Sequence, residues 1–207
     1  MHWLGRFHAD SGDPREAAVW FRQAADQEFL PAMSSLGSCL ERLDEVVEAE
    51  TWFRRAATQG YAEAMVKLGH GLFARGDPNE GESWFRRAAE LGQTVAMANL
   101  GYRLAQRGDL DEAEQWDRRG AVLGHPGAMA NLAVLLRERG DAVQALEWFH
   151  RGAERALTFM EESPRAFRPW PGEASDQGVS EVILAFAHLS CNSAAQTMDK
   201  RQSTGFS

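Results

Sequence analysis

Tryptophan recurs along this chain of 207 residues at a fixed interval of 32 residues. The tryptophans that keep this interval are Trp20, Trp52, Trp84, Trp116 and Trp148. A period of this length is typical of supersecondary units that cannot bury an apolar face alone, so neighbouring units must stack on one another. The spacing therefore predicts a repeat array whose stacked units build one continuous core.

Each repeat carries the signals of two helices joined by a tight turn. Pairs such as Gly76-Asp77 stand between the helices, where glycine ends one helix and aspartate caps the next. Asp44-Glu45 replaces the pair once, and Glu80 stands where it completes a capping box with Asp77. A second glycine ends the second helix in three repeats, whereas the first and last repeats have Glu28 and Ala156 there. The pattern predicts an all-α helix-turn-helix repeat.

Apolar residues at helical spacing mark one face of both helices in every repeat. Trp52 and Phe53 lie on this face with small alanines, which favours packing over a role as a stacking platform for bases or sugars. A glycine inside the first helix costs about 1 kcal/mol relative to alanine, so its recurrence at Gly37, Gly69 and Gly101 predicts close helix contact. Glutamate and arginine four residues apart, as in Glu50 and Arg54, predict ion pairs on the opposite face.

The repeats predict a solenoid over residues 1–157 whose first repeat begins inside its first helix. Either this helix is shortened or the array extends upstream of Met1. The pattern fails where Pro164 takes the place of a helix leucine. We expect a Pro-rich linker over residues 158–178, a helix over residues 179–191 that caps the last repeat, and a disordered tail over residues 192–207.

The composition excludes several classes of function. The net charge of -8 argues against nucleic-acid binding, which needs clustered Lys and Arg. Cys39 and Cys191 form neither a disulfide framework nor a metal motif, and no apolar stretch is long enough for a bilayer. Phosphate loops, nucleophile elbows and zinc-type histidine spacings are absent from the sequence. We therefore predict a cytoplasmic protein that is not an enzyme, with no catalytic residues, metal site, cofactor, nucleic acid or membrane partner.

The residues of the repeat carry a family likeness. The motif A-M-x-x-L-G-x-x-L, then G-D, then A-x-x-W-F-R-R-A-A-x-x-G resembles the Sel1-like repeat, a relative of the tetratricopeptide repeat. The resemblance implies a right-handed α-solenoid of five helix-turn-helix repeats, the first of them truncated. It also implies that the first helices line a concave groove that binds proteins or peptides, as adaptors do.

The resemblance implies which side chains face that groove. Phe73 and Tyr102 are the expected anchors, and Asn99 and Asn131 are expected to hydrogen-bond a ligand's backbone. The groove positions, several of them charged, are Arg6, Ser38, Glu41, Arg42, His70, Phe73, Tyr102, Gln106, Val134 and Arg137.

Two hypotheses for function follow. In the first, the chain is a scaffold or adaptor that binds a protein or peptide partner in the groove. In the alternative, it is a structural assembly module, a fragment of a larger repeat array that self-associates through an uncapped N-terminal edge. Trp3 and Phe7 are expected at that edge.

Overall fold

The computed structural model describes residues 1–162, with side chains through residue 158. This part of the chain is all α-helical and contains ten helices. In chain order they are α1 (His2–Asp10), α2 (Pro14–Ala25), α3 (Leu30–Arg42), α4 (Val46–Thr58), α5 (Ala62–Arg75), α6 (Pro78–Glu90), α7 (Thr94–Arg107), α8 (Leu110–Val122), α9 (Pro126–Glu138) and α10 (Ala142–Glu162). Odd-numbered helices are the first helices of the repeats, and even-numbered helices are the second helices.

The chain forms two compact units that divide inside α7. In the N-terminal unit, Met1–Ala96, helices α1 to α6 pack in chain order, each against the next, and α3 also contacts α5. In the C-terminal unit, which begins at Met97, α9 packs against both α8 and α10. Within each unit the helices form the paired architecture of an α-solenoid.

The turns between helices use a residue with positive φ. Glycine fills this place in most turns, with Gly76 at φ 87° as an example. Glu28 and Asp44 adopt φ of 59° and 64° at the two turns where the sequence lacks glycine. The repeat geometry therefore imposes the left-handed conformation even on residues with a Cβ, which costs about 1–2 kcal/mol for most of them.

The last described helix ends later than the sequence predicts. Helix α10 runs to Glu162, so residues 158–162, which we assigned to the linker, are helical. Ala156 stands where Gly60, Gly92 and Gly124 adopt positive φ at the ends of their helices, so this repeat lacks the glycine that favours a helix end. The remainder of the expected linker, the capping helix and the tail lie outside the described residues.

The predicted close contact at the mid-helix glycines is present in the N-terminal unit. A Cβ added to Gly37 would lie 2.6 Å from the ring of Phe53, and one on Gly69 would lie 2.7 Å from Phe85. Phe53 and Phe85 are buried. Each phenylalanine of a second helix thus lies directly on the backbone of its own first helix, which only glycine permits.

The five tryptophans are buried or half-buried, and the indole N–H groups of Trp52, Trp84 and Trp116 each donate to a glutamate of the same helix. Trp84 is buried, its indole N–H donates to Glu80 Oε1 at 3.2 Å, and the Arg87 guanidinium lies 4.5 Å from its ring centroid. The capping box expected from Glu80 is therefore only half formed. Asp77 accepts from the Glu80 backbone N–H, but the Asp77 N–H donates to the carbonyl of Leu72.

The predicted glutamate–arginine pairs form and extend into a network that connects helices. Glu50 binds Arg54 of its own helix at 3.0 Å and Arg75 of α5 at 2.5 Å. Arg54 also reaches Glu80 of α6 at 2.5 Å. Exposed ion pairs contribute about 0–1 kcal/mol each to stability. This network therefore serves more to align neighbouring helices than to stabilise the fold.

Candidate functional site

All ten groove candidates are accessible to solvent. Five are exposed and five are half-buried. The N-terminal unit carries Arg6 on α1, Ser38, Glu41 and Arg42 on α3, and His70 and Phe73 on α5; the C-terminal unit carries Tyr102 and Gln106 on α7 and Val134 and Arg137 on α9. Because α3 and α5 contact each other, the five candidates of these two helices lie on neighbouring elements.

Two of these candidates face the second helix of their own repeat. The Phe73 ring stacks on Phe85 with centroids 5.4 Å apart, and it lies where a Cβ on Gly81 would be 2.7 Å away. His70 meets Phe85 edge-on at 5.1 Å. Because much of both rings is engaged by α6, less of Phe73 is open to a partner than its position in the repeat implies.

The α3 candidates combine charges of both signs. The Glu41 side chain is exposed, yet partial desolvation around its carboxyl raises the pKa, an effect that the Lys67 ammonium of α5 opposes. Arg42, one residue further on, is exposed and forms no ion pair with the side chains of residues 1–158, and the same holds for Arg6 of α1. These two guanidinium groups are free to bind an acidic group.

The C-terminal unit presents a tyrosine held by its own helix. Gln106 donates from Nε2 to the Tyr102 hydroxyl at 2.7 Å, and the Arg103 guanidinium lies 5.7 Å from the tyrosine ring centroid. Tyr102 is half-buried, so its side chain is held in place by these contacts and part of it stays accessible to solvent. On α9, Arg137 is exposed and has no ion pair in the described part of the chain, and Val134 is half-buried.

The asparagines expected to bind a ligand's backbone are turned toward the protein. Asn131 donates from Nδ2 to the carbonyl of Ala98 and to Asp117 Oδ1, each at 3.0 Å. Asn99 is buried. The Asn131 amide hydrogens are thus used to join α9 to α7 and α8 inside the C-terminal unit.

Asp117 is a buried carboxyl group that the sequence reasoning missed. It occupies the place of the phenylalanine that follows the tryptophan in the other repeats, as in Phe53 and Phe85. It is fully buried, its Oδ1 accepts from Asn131, and its Oδ2 has no hydrogen bond among the described residues. Burial raises its pKa well above the usual value. The change from Trp-Phe to Trp-Asp in the fourth repeat is the sequence signal that could have identified it.

His125 is the second perturbed group of this unit. Its Nδ1 accepts from the backbone N–H of Ala128 at 3.2 Å and so caps the start of α9. Burial lowers its pKa to about 4, which keeps the imidazole neutral and able to accept.

Two further properties bear on the site. None of the helices between His2 and Glu162 combines the length and apolarity needed to cross a membrane. Among the side chains that the structure describes, no three His, Cys, Asp or Glu residues gather in a way that could hold a metal ion.

Comparison with known families matches the repeats along the chain. Profiles of the tetratricopeptide repeat match residues 4–64, 94–122 and 126–151, and a profile of the Sel1 repeat matches residues 62–93. The chain belongs to the tetratricopeptide and Sel1 repeat family. The suspected resemblance and the all-α solenoid class are thereby confirmed. A search of curated protein sequences finds no match to this repeat protein.

Solved structures share the fold of this Sel1 and tetratricopeptide repeat protein. The protective antigen c5321 of uropathogenic Escherichia coli, which displays an SLR fold, is 31% identical with a TM-score of 0.62; the alignment covers 67% of this chain and 33% of the antigen. This chain therefore spans about a third of the antigen's length. A Sel1 repeat protein from Oxalobacter formigenes is 25% identical with a TM-score of 0.63, covering 87% of this chain and 83% of that one. YrrB, a tetratricopeptide repeat protein with an unusual peptide-binding site, is 22% identical with a TM-score of 0.52, covering 75% and 84% of the two chains.

Proposed function

We propose that this repeat protein is an adaptor that binds a protein or peptide partner on the face formed by its first helices. The observation that carries the proposal is the state of its arginines. Arg6, Arg42 and Arg137 lie on first helices, are exposed, and form no ion pair within the described residues. By contrast, Arg22, Arg54 and Arg118 on second helices each contact a glutamate. The free guanidinium groups lie on the side expected to face a partner.

The chemistry of this face favours a partner segment that carries acidic and apolar side chains. Guanidinium groups bind carboxylates through paired hydrogen bonds, and tyrosine and arginine dominate the energetics of many interfaces. Tyr102 supplies the aromatic contact in the C-terminal unit, whereas Phe73 contributes less because its ring packs on Phe85. Stacked helical repeats commonly present extended binding surfaces of this kind.

The proposal assigns no catalytic step to this protein. Folds of repeat families specify architecture better than activity, and function resides in sites placed on them. We accordingly propose that the protein acts by binding alone, in the cytoplasm, without a cofactor or a nucleic-acid partner.

The experiment is affinity capture with single-helix variants. The chain is immobilised and its partners from the native cell are quantified by mass spectrometry, for the wild type, for Arg6→Ala with Arg42→Ala, and for Tyr102→Ala. We expect partners that the wild type captures to be lost from both variants. Arg155→Ala, which removes an exposed arginine from the second helix α10, is the matched control and should retain them. Equal capture by all variants would mean that the first-helix face is not the binding surface.

A second candidate function is favoured by the exposed face of α1. Met1, Trp3 and Phe7 are 63%, 72% and 55% exposed, and the Trp3 and Phe7 rings stack with centroids 6.1 Å apart. Clustered apolar side chains of this size are typical of interaction sites. We propose that the protein self-associates through this face and acts as a structural assembly module.

Sedimentation velocity distinguishes this candidate from the adaptor. Self-association predicts a mass that rises with protein concentration and returns to that of the monomer in Trp3→Ser with Phe7→Ser. Val47→Ser and Val122→Ser, which replace exposed apolar residues on second helices, are the control and should leave the association intact. A monomeric mass of the wild type at all concentrations counts against the module and leaves the adaptor standing.

A further inference from the structure

The first repeat lacks an ion pair that the second, third and fourth repeats form on their second helices. In those repeats, a glutamate two residues before the tryptophan accepts from Nη2 of an arginine two residues after it. The pairs are Glu50–Arg54 at 3.0 Å, Glu82–Arg86 at 3.2 Å and Glu114–Arg118 at 2.6 Å. In the first repeat Arg22 keeps the arginine, but Ala18 stands in place of the glutamate.

The arginine that completes this arrangement from the following first helix is also missing. Arg75 binds Glu50 Oε2 at 2.5 Å, and Arg139 binds Glu114 Oε2 at 2.7 Å. Leu43 holds the equivalent position next to the first repeat. In the first repeat, Ala18 thus replaces the carboxylate and Leu43 replaces the second arginine that would bind it.

These replacements coincide with a surface cavity of about 450 Å³ in the N-terminal unit. Its apolar wall includes Ala18, Val19, Leu40 and Leu43, contributed by α2, by α3 and by the residue that ends α3. Ala18 and Leu40 are buried, so this wall is part of the core rather than a chance contact of mobile side chains. The volume falls in the range of small-molecule sites, roughly 300–1,000 Å³.

Two guanidinium groups line the same cavity. Arg22 donates from Nη1 to Glu48 at 2.6 Å, just as Arg54 donates from Nη1 to Glu80 at 2.5 Å. Nη2 of Arg54 binds Glu50, but for Arg22 the described residues supply no ion-pair partner besides Glu48. Arg15 forms no ion pair in the same part of the chain. The cavity therefore places unsatisfied guanidinium donors beside an aliphatic wall.

We propose that this cavity binds a monocarboxylate with a short aliphatic chain. The carboxylate takes the position beside Arg22 that Glu50 takes beside Arg54, and Arg15 contributes the second positive charge in place of the missing Arg75 equivalent. The aliphatic chain covers Leu40 and Leu43. The site lies against the second helix α2 and is independent of the first-helix face proposed for the partner.

The remaining charged residues of the lining are acidic. Asp26 and Glu45 also line the cavity, so the formal charges of its lining balance. Doubling the negative charge of a ligand doubles its attraction to Arg15 and Arg22 and also its repulsion from these acids, so the lining gives a phosphate dianion no net electrostatic advantage over a monocarboxylate. Inorganic phosphate has no aliphatic chain to cover Leu40 and Leu43, so it is expected to bind more weakly than a monocarboxylate.

The test is a titration of the isotope-labelled full chain, followed by backbone amide shifts. Hexanoate represents a free aliphatic acid, and acetyl-Ala-Leu with a free carboxylate represents a peptide C-terminus. We expect one or both to give saturable shifts at Ala18, Arg22 and Leu43, with a dissociation constant on the order of 1 mM. Whichever probe binds more tightly identifies the source of the carboxylate. The matching amides, hexanamide and acetyl-Ala-Leu-amide, should bind at least about fivefold more weakly.

Variants that copy the other repeats separate binding from folding. Ala18→Glu supplies the internal carboxylate that later repeats carry, so it should fold normally and lose the saturable shifts. Arg22→Gln should weaken binding at least about fivefold. Glu50→Ala with Arg75→Leu should open an equivalent site beside Arg54. Absence of saturable shifts around the cavity, equal binding of the amides, or unchanged binding by folded Ala18→Glu would overturn the proposal.

Discussion

At the scale of single residues, the fourth repeat contains an acid where its neighbours contain an aromatic ring. Asp117 faces Gly101 closely enough that a Cβ on the glycine would lie 2.4 Å from its carboxyl carbon. The glycine therefore leaves room for a ring that this repeat does not have. The carboxyl gains one hydrogen bond from Asn131 and leaves Oδ2 unsatisfied in the core. A buried polar group without a partner costs about 1–3 kcal/mol.

We predict that Asp117→Phe stabilises the protein. The change removes the unsatisfied carboxyl and adds a buried ring above Gly101, although it leaves the Asn131 amide with one acceptor fewer. The expected gain is about 1–3 kcal/mol in the free energy of unfolding, measured from urea denaturation at neutral pH. Phe85→Asp makes the opposite change in the third repeat and should destabilise by a comparable amount. A loss of stability in Asp117→Phe would show that the carboxyl has a structural role.

The pH dependence of stability provides a second prediction for Asp117. Its pKa in the folded protein lies above the ordinary value of 3.8, so the fold favours the neutral acid. The free energy of unfolding therefore falls as the pH rises from 3.8 towards the folded-state pKa. Asp117→Asn should remove this fall, so the variant gains on the wild type as the pH increases.

Urea midpoints of the two proteins, compared across neutral and mildly acidic pH, test this directly. His125 acts in the opposite direction. Its pKa is lowered from 6.5 to about 4 in the folded protein, so its contribution to the free energy of unfolding decreases as the pH falls through this range. Both proteins retain His125, so their difference isolates Asp117. A constant difference at every pH would mean that Asp117 has an ordinary pKa.

At the scale of helices, the first four repeats each pack the second helix against one glycine of the first helix, and the last repeat has Ala133 there. Helix α5 offers a matched pair, because Gly69 lies against Phe85 whereas a Cβ on Gly71 would meet no atom within 4 Å. We predict that Gly69→Ala destabilises by about 1–3 kcal/mol through overpacking. Gly71→Ala should instead stabilise by about 0.5–1 kcal/mol through helix propensity. Thermal unfolding of the two variants measures both effects, and equal effects would contradict the packing account.

The turns allow a prediction about backbone strain. Asp44 holds φ of 64° at a turn where other repeats use glycine. We predict that Asp44→Gly stabilises by about 0.5–1 kcal/mol because glycine adopts this conformation without a Cβ penalty. Gly76→Ala introduces the penalty at the equivalent turn, φ 87°, and should destabilise by about 1 kcal/mol. Urea denaturation of both variants tests the sign, and a destabilised Asp44→Gly would indicate that the aspartate side chain supports the turn.

The elements could largely be predicted from the sequence, but the roles of particular side chains could not. The tryptophan interval and the turn residues predicted the helix pairs, and Gly37 and Gly69 predicted their close contacts, because these signals act within one repeat. The stacking of Phe73 on Phe85 depends on the direction of a ring, which the position in the repeat leaves open. Asp117 was missed because its surroundings come from three helices, α7, α8 and α9.

At the scale of the whole molecule, arginines of the first and second helices differ in how many of them contact other side chains of the protein. Most second helices hold an arginine that binds a glutamate or lies over a tryptophan, as Arg54 and Arg87 do, whereas Arg15 of α2 forms no ion pair among the described side chains and Arg75 of the first helix α5 binds Glu50. First helices hold Arg6, Arg42 and Arg137, which are exposed and form no ion pair with the side chains of residues 1–158. The spacing in the sequence indicated the second-helix pairs, and the resemblance to the repeat family implied the first-helix positions, but only the structure distinguishes engaged from available groups. The central claim is that partners bind the available set.

Site-specific photo-crosslinking tests this claim most directly. A photoreactive phenylalanine analogue is placed at Arg42 and Gln106 on first helices, and at Arg87 and Gln115 as exposed controls on second helices. Irradiation in the native cell is followed by mass spectrometry of the crosslinked proteins. We predict crosslinks to a shared partner from the first-helix positions and none from the controls. Crosslinks to that partner from the second-helix positions alone would contradict the account.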